Sequence, residues 1–120
     1  MNDKAKQLKQ DYKQRHRPMG VYQIRNIINN KILLGASLNL SGILNRNKFE
    51  LKMGNHRNKT LQTEWREMGS ENFVFEILDE LEPKEDPDYD YKEDLLFLEQ
   101  YWLDKLKPFG DRGYNEKKKM

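Results

Sequence analysis

Two short alternating segments joined by an asparagine turn constrain this chain more than any other feature. From Gly20 to Asn26, Val21, Gln23 and Arg25 point one way and Tyr22 and Ile24 the other, the two-residue period of a strand. Asn29-Asn30 suits a tight reversal, because asparagine tolerates positive φ. Lys31 to Ser37 then reads as the returning strand, with Gly35 allowing close backbone approach. A lone hairpin is marginal in water. The rest of the chain must therefore cover it.

The covering elements are legible downstream. Asn39 can cap a helix running to about Met53 and stopped by Gly54, with Leu40, Ile43, Leu44 and Leu51 at helical spacing and Gly42 out of place in its interior. Lys59 to Met68 fits a second helix, with Leu61 and Trp65 four apart and Gly69 as its stop. Asn72 to Leu78 alternates as a third strand, setting Phe73, Phe75 and Ile77 against Val74, Glu76 and Leu78. Pro83, Pro87 and five acidic residues make Glu82 to Asp90 an exposed loop. Tyr91 to Leu106 is the clearest helix, its buried stripe expected at Leu95, Leu98, Trp102 and Leu106. Before the hairpin, Asp3 to Arg17 lacks Gly and Pro, is rich in Lys and Gln, and carries Ala5, Leu8 and Tyr12 at i, i+3, i+7. The expected layout is α/β: a small three-stranded antiparallel sheet flanked by helices, with an extra N-terminal helix. Residues 1–18 form a basic arm, 19–115 the domain and 116–120 a charged tail.

Composition narrows the function classes. The chain has 120 residues, enough for one domain. It has no cysteine, which removes disulfides and Cys-based zinc sites. No apolar run approaches the roughly 20 residues of a membrane span, and no secretory leader is visible, so the location expected is cytoplasmic. The net charge of +2 hides an asymmetry: residues 1–70 hold 14 Lys or Arg against 5 Asp or Glu, and residues 71–120 hold 8 against 15. The basic half is either an electrostatic footprint for a polyanion such as DNA or a partner for the acidic half.

The residues at the joints are more specific. Gly20-Val21-Tyr22-Gln23-Ile24-Arg25-Asn26, the Asn29-Asn30-Lys31 turn and Leu33-Leu34-Gly35 resemble the two defining strands of GIY-YIG nucleases of the excinuclease and homing-endonuclease type. The series continues through Asn39-Leu40, Gly54-Asn55-His56, Leu61-Gln62, Trp65, Gly69, Asn72-Phe73, Ile77-Leu78, Glu99 and Gly113-Tyr114-Asn115. This resemblance implies a metal-dependent DNA-hydrolysis site. Glu99 would hold a divalent ion, Mg²⁺ or Mn²⁺, that screens the attacked phosphate. Tyr22 would activate or position water. His56 completes the set of catalytic candidates. An arginine on the helix after the second strand would stabilise transition-state charge.

Three family positions are substituted. The tyrosine of the second motif is Leu33, the arginine eight residues after its glycine is Ile43, and the histidine four further on is Asn47. The correct placement of Asn39-Leu40 before it and Gly54 and Leu61-Gln62 after it pins the register at Ile43. Arg46 lies about one turn away. The substitution implies a DNA-binding domain impaired or inactive in cleavage. Its DNA contacts would be Arg25, Lys31, Arg46, Lys48, Lys52, Arg57, Lys59 and Asn115.

Plainer readings stand beside these. Glu99 can be a solvated residue at a helix edge, and Tyr22 a core residue beside Ile24. His56, in a turn between Asn55 and Arg57, can be an ordinary surface histidine, and Asn115 can bond backbone. Trp65 and Trp102 read as core. Ile43 either repacks a disused site or floors an apolar pocket. Two other functions remain open: an active endonuclease with an atypical site, and a protein-interaction adaptor using the acidic loop.

Overall fold

The computed structural model describes residues 17–116, so residues 1–16 of the arm expected over 1–18 and residues 117–120 of the tail lie outside the described residues. The hairpin forms as its alternation requires: β1 is Gly20–Asn26 and β2 is Ile32–Ser37. The turn between them places Asn30 at φ 63, and the Asn29 side chain accepts from the Lys31 amide at 3.0 Å. The third strand, β3, is Phe73–Glu80 and runs two residues beyond the expected Leu78, because Val21 and Gly20 still pair with Asp79 and Glu80. Strand order is β2-β1-β3 with both pairings antiparallel. The central strand is covered on both faces, with Val21 and Ile24 fully buried.

Register decides which side chains meet. Ile24 lies opposite Leu33 and Phe75, and Tyr22 opposite Gly35 and Ile77, so these residues share a face. That face is closed by α1 (Leu40–Met53) and α2 (Lys59–Met68). Ile24, Leu51, Leu61, Trp65, Phe73 and Tyr114 form the core, with the Trp65 ring 5.3 Å from Phe73. The helix boundaries follow local chemistry. Asn39 accepts from the Gly42 amide at 3.0 Å, Asn58 accepts from Leu61 at 3.0 Å, and Gly54 ends α1 at φ 80. Gly42 is explained by the same cap, since a Cβ there would lie 2.9 Å from the Asn39 Cγ.

The last helix, α3 (Lys92–Leu106), lies against β1 and β2, and its Trp102 indole donates to Asp79 at 3.0 Å. Its inward stripe differs from expectation. Leu95, Leu98, Trp102 and Leu106 are half-buried, and no residue of α3 is fully buried. Beyond Pro108 the chain returns along β2, where the Tyr114 amide donates to Ile32 at 2.9 Å and covers what would be an open sheet edge. No helix among the described residues is long and apolar enough to cross a membrane.

Candidate active site

Tyr22 and Gly35 face one another across the hairpin. The Tyr22 ring lies over the glycine so closely that a Cβ at residue 35 would sit 2.5 Å from the phenol oxygen and 2.6 Å from Cζ. The second motif therefore keeps its glycine because the tyrosine of the first occupies the space of a side chain. Tyr22 is buried, and that burial pushes its hydroxyl above its ordinary pKa. The charges of Glu99 and Glu50 add to the rise, while a hydrogen bond with Asn47 and the Arg57 charge oppose it. The phenol is protonated at neutral pH.

Asn47 joins Tyr22 to His56. Its amide nitrogen donates to the Ile43 carbonyl at 2.8 Å, and its carbonyl oxygen meets His56 Nε2. The other ring nitrogen, Nδ1, accepts from the Asn58 amide at 3.0 Å. Those two partners define the imidazole as the Nε2–H form, with Nε2–H donating to Asn47. Burial lowers the His56 pKa, an effect that Glu50 opposes. The turn position suggests an exposed histidine; the structure instead buries it at 7% exposure. Gln62 explains why: it accepts from the His56 amide at 3.0 Å and donates to the Leu51 carbonyl at 3.1 Å, drawing the turn onto the end of α1.

Around this neutral centre stand charged groups. Glu50, one helical turn after Asn47, pairs with Arg46 at 3.4 Å. Arg57 is exposed, and its charge acts on both Tyr22 and His56. Glu99 on α3 is half-buried and near enough to influence the phenol. Among the described residues no three His, Cys, Asp or Glu side chains form a metal cage. Glu99 and Glu50 are the two carboxylates whose charges act on Tyr22, and Mg²⁺ takes one or two protein carboxylates, completing its shell with water and substrate phosphate.

The other sequence candidates divide. Leu33 packs against the core and Ile43 is half-buried one turn before Asn47. Arg25 points away from Tyr22, to the other face of β1, and pairs with Glu76 at 3.0 Å. Lys31 pairs with Glu64 at 3.4 Å. Lys48 lies 4.9 Å from the centre of the Phe75 ring. Lys52, Arg57 and Lys59 are exposed and belong to none of the ion pairs among the described residues. Asn115 is bound to the β2 backbone: it accepts from the Leu34 amide and donates to the Leu34 carbonyl, each at 2.8 Å.

Sequence reasoning missed two groups. Glu50 carried a signal, since it follows Asn47 by one turn. The second is a polar knot around Glu64, whose Oε1 accepts from Asn29 at 2.7 Å, Asn26 at 3.1 Å and Tyr114 at 2.7 Å. Burial alone would raise the Glu64 carboxyl; the Tyr114 and Asn29 donors and Lys31 bring it below its ordinary value. The knot ties the hairpin turn, α2 and the C-terminal segment together, and no local pattern announces it.

No protein-family model matches the chain, and no curated protein shows significant similarity to it. Among solved structures, the catalytic domain of homing endonuclease I-TevI is similar at 26% identity and a TM-score of 0.67, over 83% of this chain and 99% of that one. A point-mutant form of the catalytic domain of intron endonuclease I-TevI is similar at 26% identity and a TM-score of 0.66, over 82% and 92%. The three-stranded antiparallel sheet and its flanking helices agree with the expectation from sequence: this chain has the fold of the I-TevI catalytic domain, the GIY-YIG type.

Proposed function

We propose that this domain binds DNA and is impaired in cutting it. The observation that carries the reading is Ile43, an apolar, half-buried side chain one turn before Asn47 where the family resemblance calls for an arginine. Losing one transition-state donor costs on the order of 10²–10³ in rate. The protonated Tyr22 and neutral His56 meet at Asn47, whose amide donates to the Ile43 carbonyl. Glu99, with Glu50, would hold Mg²⁺ or Mn²⁺, which would supply charge screening for a bound phosphate. The exposed Lys52, Arg57 and Lys59, with Lys48, support DNA as the polyanion. Plasmid nicking by the native chain and by Ile43→Arg, side by side with Mg²⁺ or Mn²⁺, tests the reading. Activity gained in the variant supports it; equally strong nicking by both sinks it.

A second reading has its own observation. The charge of Arg57 reaches the phenol, and Arg46 reaches the same cluster through Glu50. In an active endonuclease one of these would replace the missing arginine. Strong nicking by the native chain that falls at least about a hundredfold in Arg57→Ala or Arg46→Ala would favour it.

A further inference from the structure

The outward face of α3 carries an apolar strip, flanked at its C-terminal end by Lys105. Along it Leu96 is 53% exposed, Phe97 76% and Tyr101 50%, while Glu93, Gln100 and Asp104 occupy the same side of the helix. Three large apolar side chains so open on one helix face are more than scattered surface residues. The inward face of the same helix is only half-buried, so α3 is undercovered on both sides.

The surroundings are acidic. Residues 82–107 carry nine Asp or Glu against Lys84, Lys92, Lys105 and Lys107, with Lys105 Nζ 5.8 Å from the centre of the Tyr101 ring at the end of the strip. The loop before α3 folds onto the helix start, with the Tyr89 hydroxyl donating to Asp94 at 2.6 Å and the Lys84 amide to the Tyr91 hydroxyl at 2.7 Å. The ion pairs Arg25–Glu76, Lys31–Glu64 and Arg46–Glu50 lie elsewhere in the fold. An occupant of this strip needs apolar side chains at helical spacing and a basic rim.

We propose that the chain's own residues 1–16 dock on this face of α3. In sequence they carry Ala5, Leu8 and Tyr12 at i, i+3, i+7, with Lys4, Lys6, Lys9, Lys13 and Arg15 against Asp3 and Asp11. On α3, Leu96 to Tyr101 spans roughly 8 Å at about 1.5 Å per residue. The point of entry fits as well. The Met19 carbonyl accepts from the Leu81 amide at 2.8 Å, and Val21 pairs with Asp79. Asp79 receives the Trp102 indole, and the Trp102 ring packs edge-on to Tyr101 at 5.6 Å. The segment thus joins the domain beside the C-terminal half of the strip, and the acidic loop begins one residue after Leu81. Docked there, its cations neutralise the acidic half of the chain rather than meeting an external polyanion.

Limited trypsinolysis of the full chain at about 50 mM salt tests this, since cleavage of a docked segment tracks the population of its open form. Cleavage after Lys9 and Lys13 is expected to be at least tenfold faster in Phe97→Asp and in Leu8→Asp than in the native chain, and to accelerate in the native chain at about 500 mM salt. A zero-length carbodiimide should join Lys4–Lys13 to Glu93 or Asp104 within monomers. Equal cleavage in all three proteins overturns the proposal. Protection that grows with protein concentration overturns it too, assigning the face to a second copy. Circular dichroism checks that Phe97→Asp folds; if it does not, Leu8→Asp, outside the described fold, decides alone.

Discussion

The packing of Tyr22 over Gly35 makes a sharp energetic prediction. Gly35 is not at positive φ, so alanine there meets no backbone penalty. In an ordinary strand interior Gly→Ala stabilises by roughly 0.5–1 kcal/mol. Here the new Cβ would lie 2.5, 2.6 and 2.8 Å from the Tyr22 Oη, Cζ and Cε1, so a buried ring held by Asn47 must move. Overpacking of this kind costs about 1–3 kcal/mol. The net expected for Gly35→Ala is about 1–2 kcal/mol of destabilisation, or about 4 °C in Tm for each kcal/mol at this chain length. In a Tyr22→Ala background the obstruction is gone and the same substitution should stabilise by about 0.5 kcal/mol. Urea unfolding of the four proteins closes the cycle. A Gly35→Ala effect of the same sign and size in both backgrounds would refute the packing argument.

Three further outcomes follow from the site's hydrogen bonds and charges. The His56 pKa is lowered in the folded state, so the unfolded chain takes up its proton first and stability falls as pH drops from about 6.5. His56→Gln should flatten that part of the stability–pH curve, while the stability that depends on Glu64 is lost only as pH falls below the ordinary carboxylate value. Asn115→Ala leaves the amide and carbonyl of Leu34 without their side-chain partners and should cost about 1–3 kcal/mol in denaturant unfolding; a loss under 0.5 would contradict the clamp. Duplex DNA binding should weaken steeply between about 50 and 200 mM salt, and Arg57→Ala should reduce the slope of log K against log salt by about one. A flat salt response would remove DNA as the ligand.

Much of the fold was legible because its signals are local. The alternation of β1, the Asn29-Asn30 turn, the Asn39 cap and the glycines after α1 and α2 act within a few residues of themselves, and each element appears where they place it. The candidate site was legible in membership more than in role. Tyr22 and His56 came from the GIY-YIG resemblance and Asn47 as a substituted family position, yet their hydrogen-bond chain, the buried state of His56 and the part of Glu50 could not be seen there. Those facts depend on contacts between β1, α1 and the turn before α2, which are distant in sequence.

The basic half shows the same limit from the other side. A count of lysines and arginines makes one positive face, but Arg25 turns to the far side of β1, and it, Lys31 and Arg46 are paired with glutamates. Residue order alone determined the strands, the helix ends, the GIY-YIG resemblance and the apolar residue at Ile43, because periodicity, caps and motif spacing are properties of neighbours along the chain. Tertiary structure alone decided that Tyr22 fills the space above Gly35, that Asn47 joins it to His56, and which cations stay exposed. Those outcomes depend on strand register and helix packing, which bring together groups that no local pattern relates.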